Sequence, residues 1–166
     1  MVTLSTPLAG VDLTATPAGT GTSSDEGNEF PLGTRVMTAD AGEYIFVHAS
    51  GAITQYDAVG IDENFEAAAL TKAIADDGHI VGFAQVAFAD NDFGWVAHRG
   101  SNISVRLAAS CAADVTLYTT ATAGVLDDTA ASQTAVNGVV AVAAASAGGV
   151  STKEIIATNP WTAVAT

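Results

Sequence analysis

The run HIVGFAQVAFADNDFGWVAHRGSNISVRLA, residues 79–108, limits the possible folds more than any other part of the chain. Nearly every position of 79–88 is apolar, as in a strand buried on both faces. In DFGWVAH (92–98), Phe93 and Trp95 fall on one face and Val96 with His98 on the other. NISVRLA (102–108) turns Ile103, Val105 and Leu107 inward, with Ser104 and Arg106 outward. A period of two belongs to strands. The links, Ala89 to Asp92 and Arg99 to Ser101, have the length and composition of hairpin turns. These features predict a three-stranded antiparallel meander. The acids, His98 and Arg99 then fall at its turns, where polar residues need no catalytic explanation.

The rest of the chain keeps this rhythm. EYIFVH (43–48) is rich in aromatic and β-branched residues and alternates. Ser50-Gly51 can turn it back into ITQYDAVGI (53–61), predicting a hairpin. Residues 65–78 predict a strand ending near Thr71, then a turn or a single helical turn. DVTLYTT (114–120) is expected to meet GVL (124–126) across Ala121-Thr122-Ala123. NGVVAVAAA (137–145) is an apolar run, and KEIIAT (153–158) closes the pattern. Asn159-Pro160-Trp161 is expected to end it, because proline cannot donate to a ladder. The expected fold is all-β: a small antiparallel β-barrel or sandwich over residues 30–166. Residues 1–29 read as a flexible or extended N-terminal arm, rich in Thr, Gly, Ser and Pro. Leu4, Leu8, Val11 and Leu13 are too sparse there to make a core. The arm is either a free tail or a segment that orders along a neighbouring subunit.

Charge narrows the function. The chain carries −13 at pH 7, yet only 14% of its residues are charged. About a quarter is usual, so Thr, Ser, Asn, Gly and Ala must form much of the surface. Such a surface suits an extracellular or virion exterior, or a subunit that hides a face in an assembly. Nucleic-acid binding needs clustered cations, and Arg35, Lys72, Arg99, Arg106 and Lys153 are scattered. Anionic membrane surfaces would repel the chain. No run approaches the ~18 apolar residues of a membrane helix. Met1 to Leu4 lack a basic segment, so no secretory signal is expected.

Chemistry finds little purchase. Cys111 is the sole cysteine, which excludes an intrachain disulfide and suggests a small buried apolar residue. His48, His79 and His98 show no metal-ligand spacing. Asp62-Glu63-Asn64 and Asp90-Asn91-Asp92 offer oxygens but lack a full calcium loop, and turns favour the same residues. There is no GxSxG and no phosphate-cradling loop ending in Gly-Lys-Ser or Gly-Lys-Thr. Asp25-Glu26, Asp76-Asp77 and Asp127-Asp128 are simplest as solvated turns. No enzymatic activity, cofactor or metal is expected. Tyr44, Tyr56, Trp95 and Trp161 could form a sugar-binding platform, although strand aromatics usually pack in a core or interface.

Three segments carry a likeness to a known family. GEYIFVHASGAITQYDAVGID, GHIVGFAQVAFADNDFGWVAHRG and the closing IIATNPW resemble tailed-phage head decoration proteins, also called capsid cement proteins, over about residues 33–161. The resemblance implies a virion protein on the outer surface of the phage head. It implies binding to the major capsid protein, typically as a homotrimer, with an arm reaching across capsomers. No catalytic residue is carried over. The expected partner contacts are the arm anchors Leu4, Leu8, Val11, Leu13 and Phe30, together with Trp95. A fibre-base or tail component and a carbohydrate-binding β-domain are the alternatives.

Overall fold

The computed structural model describes residues 11–18, 30–39 and 42–164. Among them the strands are β1 (Arg35–Met37), β2 (Glu43–Ala49), β3 (Ala58–Ile61), β4 (Glu66–Ala69), β5 (Ile80–Ala84), β6 (Phe93–Leu107), β7 (Leu117–Thr119), β8 (Leu126–Asp127), β9 (Ala135–Ala141) and β10 (Ser151–Thr162). One short helix, α1 (Lys72–Asp76), follows β4, and its N-cap Thr71 accepts the N–H of Ile74 through Oγ1. The fold is all-β, and every strand belongs to one mixed sheet.

The pairings close on themselves twice. One circuit runs β2–β4–β3–β5–β6 and returns to β2. The other runs β6–β8–β7–β9–β10 and returns to β6. Strand β6 serves both, its first half in one circuit and its second half in the other. Ile45, Val47, Val59, Ile61 and Val96 form one apolar cluster on strands of the first circuit. A larger cluster runs from Val81, Phe83 and Ala97 on β5 and β6 to Leu107, Leu117, Leu126, Val136 and Ile155 in the second circuit. A third cluster lies outside the first circuit: Val36, Phe46, Phe93 and Trp95, on the far face of β2 and β6.

Several sequence expectations hold. Residues 66–69 and 72–76 are a strand and one helical turn, and β7 pairs with β8. Others are corrected. The second turn of the expected meander does not form, because β6 runs through Arg99–Ser101 without reversing. Gly100 at φ +135° and Asn102 at φ +63° make a bulge instead, where the register with β10 shifts. A bulge and a tight turn draw on the same residue types. The partner of this region is therefore the distant β10. The expected hairpin of 43–48 with 53–61 is also absent. Tyr56 takes φ +70° and the Asp57 carboxylate accepts the N–H of Thr54 at 2.9 Å, which turns the chain away. Strand β3 then pairs with β4 and β5, and β2 with β1, β4 and β6. Pro160 does not end β10, which continues to Thr162. It falls where the β9 register jumps from Ala157 to Trp161, so no ladder donor is lost there. The sheet is not wholly antiparallel, since β2–β4 and β6–β8 are parallel.

Candidate functional site

Pairing Phe46 with Trp95, and His48 with Phe93, places these four side chains on one face of the β2–β6 ladder. Phe46 and Trp95 meet at 5.1 Å between ring centroids. Phe30 sits edge-on over Trp95 at 5.3 Å and over Phe46 at 5.7 Å. Residues 11–18 lie across the same face as a strap. The N–H of Phe93 donates to the carbonyl of Pro17 at 2.9 Å, and Ala18 bridges to Asp92. Val11 and Leu13 pack on the aromatic cluster. Between them, Asp12 accepts the hydroxyl and backbone N–H of Thr14, which hold its carboxyl below the usual carboxylate range. Gly94 has no side chain because none would fit. A Cβ there would stand 2.6 Å from Phe88 and 3.1 Å from the carbonyl oxygen of Ala15. This is the close approach that a strand glycine permits.

Four of the residues expected to meet a partner, Val11, Leu13, Phe30 and Trp95, therefore come together, on this chain's own surface. Leu4 and Leu8 lie outside the described residues. The apolar residues of the arm are sparse along the sequence but converge on one aromatic patch, so 11–18 has a seat that composition did not reveal. Trp95 is only 2% exposed, so it offers no open platform for a sugar ring. Trp161 is 47% exposed.

The buried polar residues serve the fold. His98 lies between strands, with Nδ1 3.0 Å from the Val81 carbonyl and Nε2 2.8 Å from the Asn159 carboxamide. It thereby ties β6 to β5 and β10. The side chain of Asp57 is 4% exposed and accepts the Arg106 guanidinium at 2.5 Å. Asp92 accepts the N–H of Ala89 at 2.7 Å, and Asp62 accepts those of Asn64 and Glu66. Both acidic turn motifs thus spend a carboxylate on local backbone donors. His48 packs against Phe93 with the rings tilted and their centroids 4.6 Å apart, and its Nε2 is buried with no hydrogen-bond partner.

The described residues contain one group of three metal-capable side chains within 4.8 Å of one another: Cys111, Asp127 and Asp128. The group does not hold a reactive thiolate. Burial, then the charges of Asp128 and Asp127, push the Cys111 thiol up to about 11. Asp128 is also engaged, accepting the N–H of Ala112. Cys111 is fully buried, as its composition context suggests.

Further exposed apolar residues lie elsewhere. On the outer face of β9 and β10, Val140 is 39% exposed and pairs with Ile156, itself 47% exposed. Val142 and Trp161 extend the stripe. A shallow groove of about 350 Å³ runs beside it, with Val115, Thr116, Ile156 and Thr158 in its walls. The apolar excess at 139–145 is visible in the sequence. The contributions of Ile156 and Trp161 are not, because they depend on the bulge that resets β10. Comparison with protein-family models, curated proteins and solved structures finds no match to this chain.

Proposed function

We propose that this chain is a structural virion protein of the decoration, or capsid cement, class. It would sit on the outer surface of a phage head and staple neighbouring copies of the major capsid protein as a homotrimer. One observation carries the reading: three of the buried titratable groups, Asp57, Asp92 and His98, are engaged in fold-holding bonds, while the open surface offers an apolar sheet face. Such a division suits a protein that works by contact rather than by turnover. The resemblance over residues 33–161 names the kind of contact. The net charge of −13 favours the outside of a shell over its DNA-facing side.

The test is binding of the purified protein to expanded shells that lack it. Saturable binding at a fixed ratio to the major capsid protein, with greater resistance of the shell to heat, supports the reading. Absence of binding to intact shells at any concentration contradicts it. A version lacking residues 1–10 isolates the arm, because it keeps the strap over Trp95; weaker binding is expected. Removing all of 1–29 would also uncover Trp95 and confound the result.

A further inference from the structure

We propose that Asn137-Gly138, on β9, is a site of spontaneous chemical modification, where the asparagine side chain closes on the main chain and is converted to aspartate and isoaspartate. Asn137 is the one asparagine of the sequence that is followed by glycine. Asn28, Asn64, Asn91, Asn102 and Asn159 precede Glu, Phe, Asp, Ile and Pro. The reaction needs the backbone nitrogen of the next residue to reach the asparagine Cγ. Glycine offers that nitrogen with no side chain in the way and with the widest choice of backbone angles. Inside a strand the ladder ordinarily prevents the approach, because each N–H is held against a partner. Here the ladder lapses. Asn137 pairs with Trp161 and Val139 with Ala157, so Thr158, Asn159 and Pro160 all stand opposite Gly138 and none pairs with it. On the other side, the pairing with β7 stops at Val136. Gly138 is exposed, takes φ +73° and lines the groove beside Asp114, Val115 and Thr116.

The asparagine side chain is loosely held as well. Its Nδ2 reaches the Trp161 carbonyl only at 3.5 Å, the limit of a hydrogen bond. The side-chain contact across the bulge, from the Thr158 hydroxyl to Gly138 at 3.3 Å, falls on the carbonyl oxygen and not on the nitrogen that must react. Water is the only co-reactant. The Gly138 N–H gives its proton to water or hydroxide, its nitrogen bonds to Asn137 Cγ, and the Cγ–Nδ2 bond breaks as ammonia leaves. Water then opens the cyclic imide at either carbonyl, giving aspartate or isoaspartate. Asn159 cannot follow this route, because Pro160 has no N–H. Each event adds a negative charge to a chain that already carries −13. The Trp161 carbonyl loses its amide donor and faces a carboxylate instead, and isoaspartate also lengthens the main chain at the bulge. The inference stands apart from the decoration reading, and its test needs no particle.

The folded full-length protein is incubated at neutral and at mildly alkaline pH, digested, and read by mass spectrometry for amide loss, with isoaspartate detected by enzymatic methylation. Asn137 should lose its amide at least about tenfold faster than Asn64, Asn91 or Asn102. The loss should quicken at the alkaline pH, because the attacking nitrogen must shed its proton. A free peptide of residues 133–141 gives the rate without the fold, and the folded chain should react within about tenfold of it. Asn137→Gln must close a larger ring, so the acidic species seen on anion exchange should vanish in that variant while its circular dichroism matches the wild type. Stronger protection of the folded chain overturns the proposal, since the bulge would then hold Gly138 as firmly as a ladder does. Amide loss spread evenly over the asparagines overturns it too, as do acidic species that persist in Asn137→Gln.

Discussion

Asp57 and Arg106 lie 49 positions apart and meet inside the structure, where Asp57 also anchors the loop that ends the expected second strand. Removing the cation strands a carboxylate with little access to water. Arg106→Leu should therefore cost roughly 3 kcal/mol in urea denaturation, and Asp57→Asn in the same chain should restore part of it. An unchanged midpoint for Arg106→Leu would remove the pair from the account. Cys111 gives a pH signature. Below about pH 9 its thiol is neutral in both states and contributes nothing to the pH dependence. Between about 9 and 11 the unfolded chain releases the proton while the folded chain keeps it. Stability then falls with rising pH and levels off once the folded thiol ionises, a loss of ~1–3 kcal/mol. The difference between wild type and Cys111→Ala, followed across pH 8–12, should show this slope. A flat difference contradicts the burial described.

At the level of elements, the strap over β2 and β6 makes the sharpest claim. In a Trp161→Phe background, Trp95 is the sole indole. Its fluorescence should resist acrylamide, and Val11→Ser with Leu13→Ser should raise the quenching while the fold is kept, at about 1 kcal/mol per site. Equal quenching in both proteins would mean that the strap does not cover Trp95. The strands themselves are largely legible in the sequence, and alternation marks Ile103, Val105 and Leu107 as the inward residues of 102–108; in 43–48 it marks no inward face, because β2 is buried on both. The partners of the strands are not legible. Residues 99–102 carry the signals of a hairpin turn, yet they form a bulge once β10 lies alongside. Asn159-Pro160 carries a stop signal that a register shift absorbs. The aromatic face is legible from the two-residue spacing of Phe93 and Trp95. Its cover is not, because Val11, Leu13 and Phe30 meet only through tertiary packing.

For the whole molecule, two closed circuits of strands share β6, so the sheet has one continuous beam through both apolar clusters. The described residues carry few charges, a strap on one face and exposed apolar side chains on another. Shell binding and the role of residues 1–10 belong to this scale, and the second can fail without the first. The copy number and position of this chain on a purified particle test the central claim most directly. The account predicts density in many copies over the outside of the head, at a fixed ratio to the major capsid protein. Density confined to the tail or to a single vertex, or absence of the chain from the particle, would contradict it.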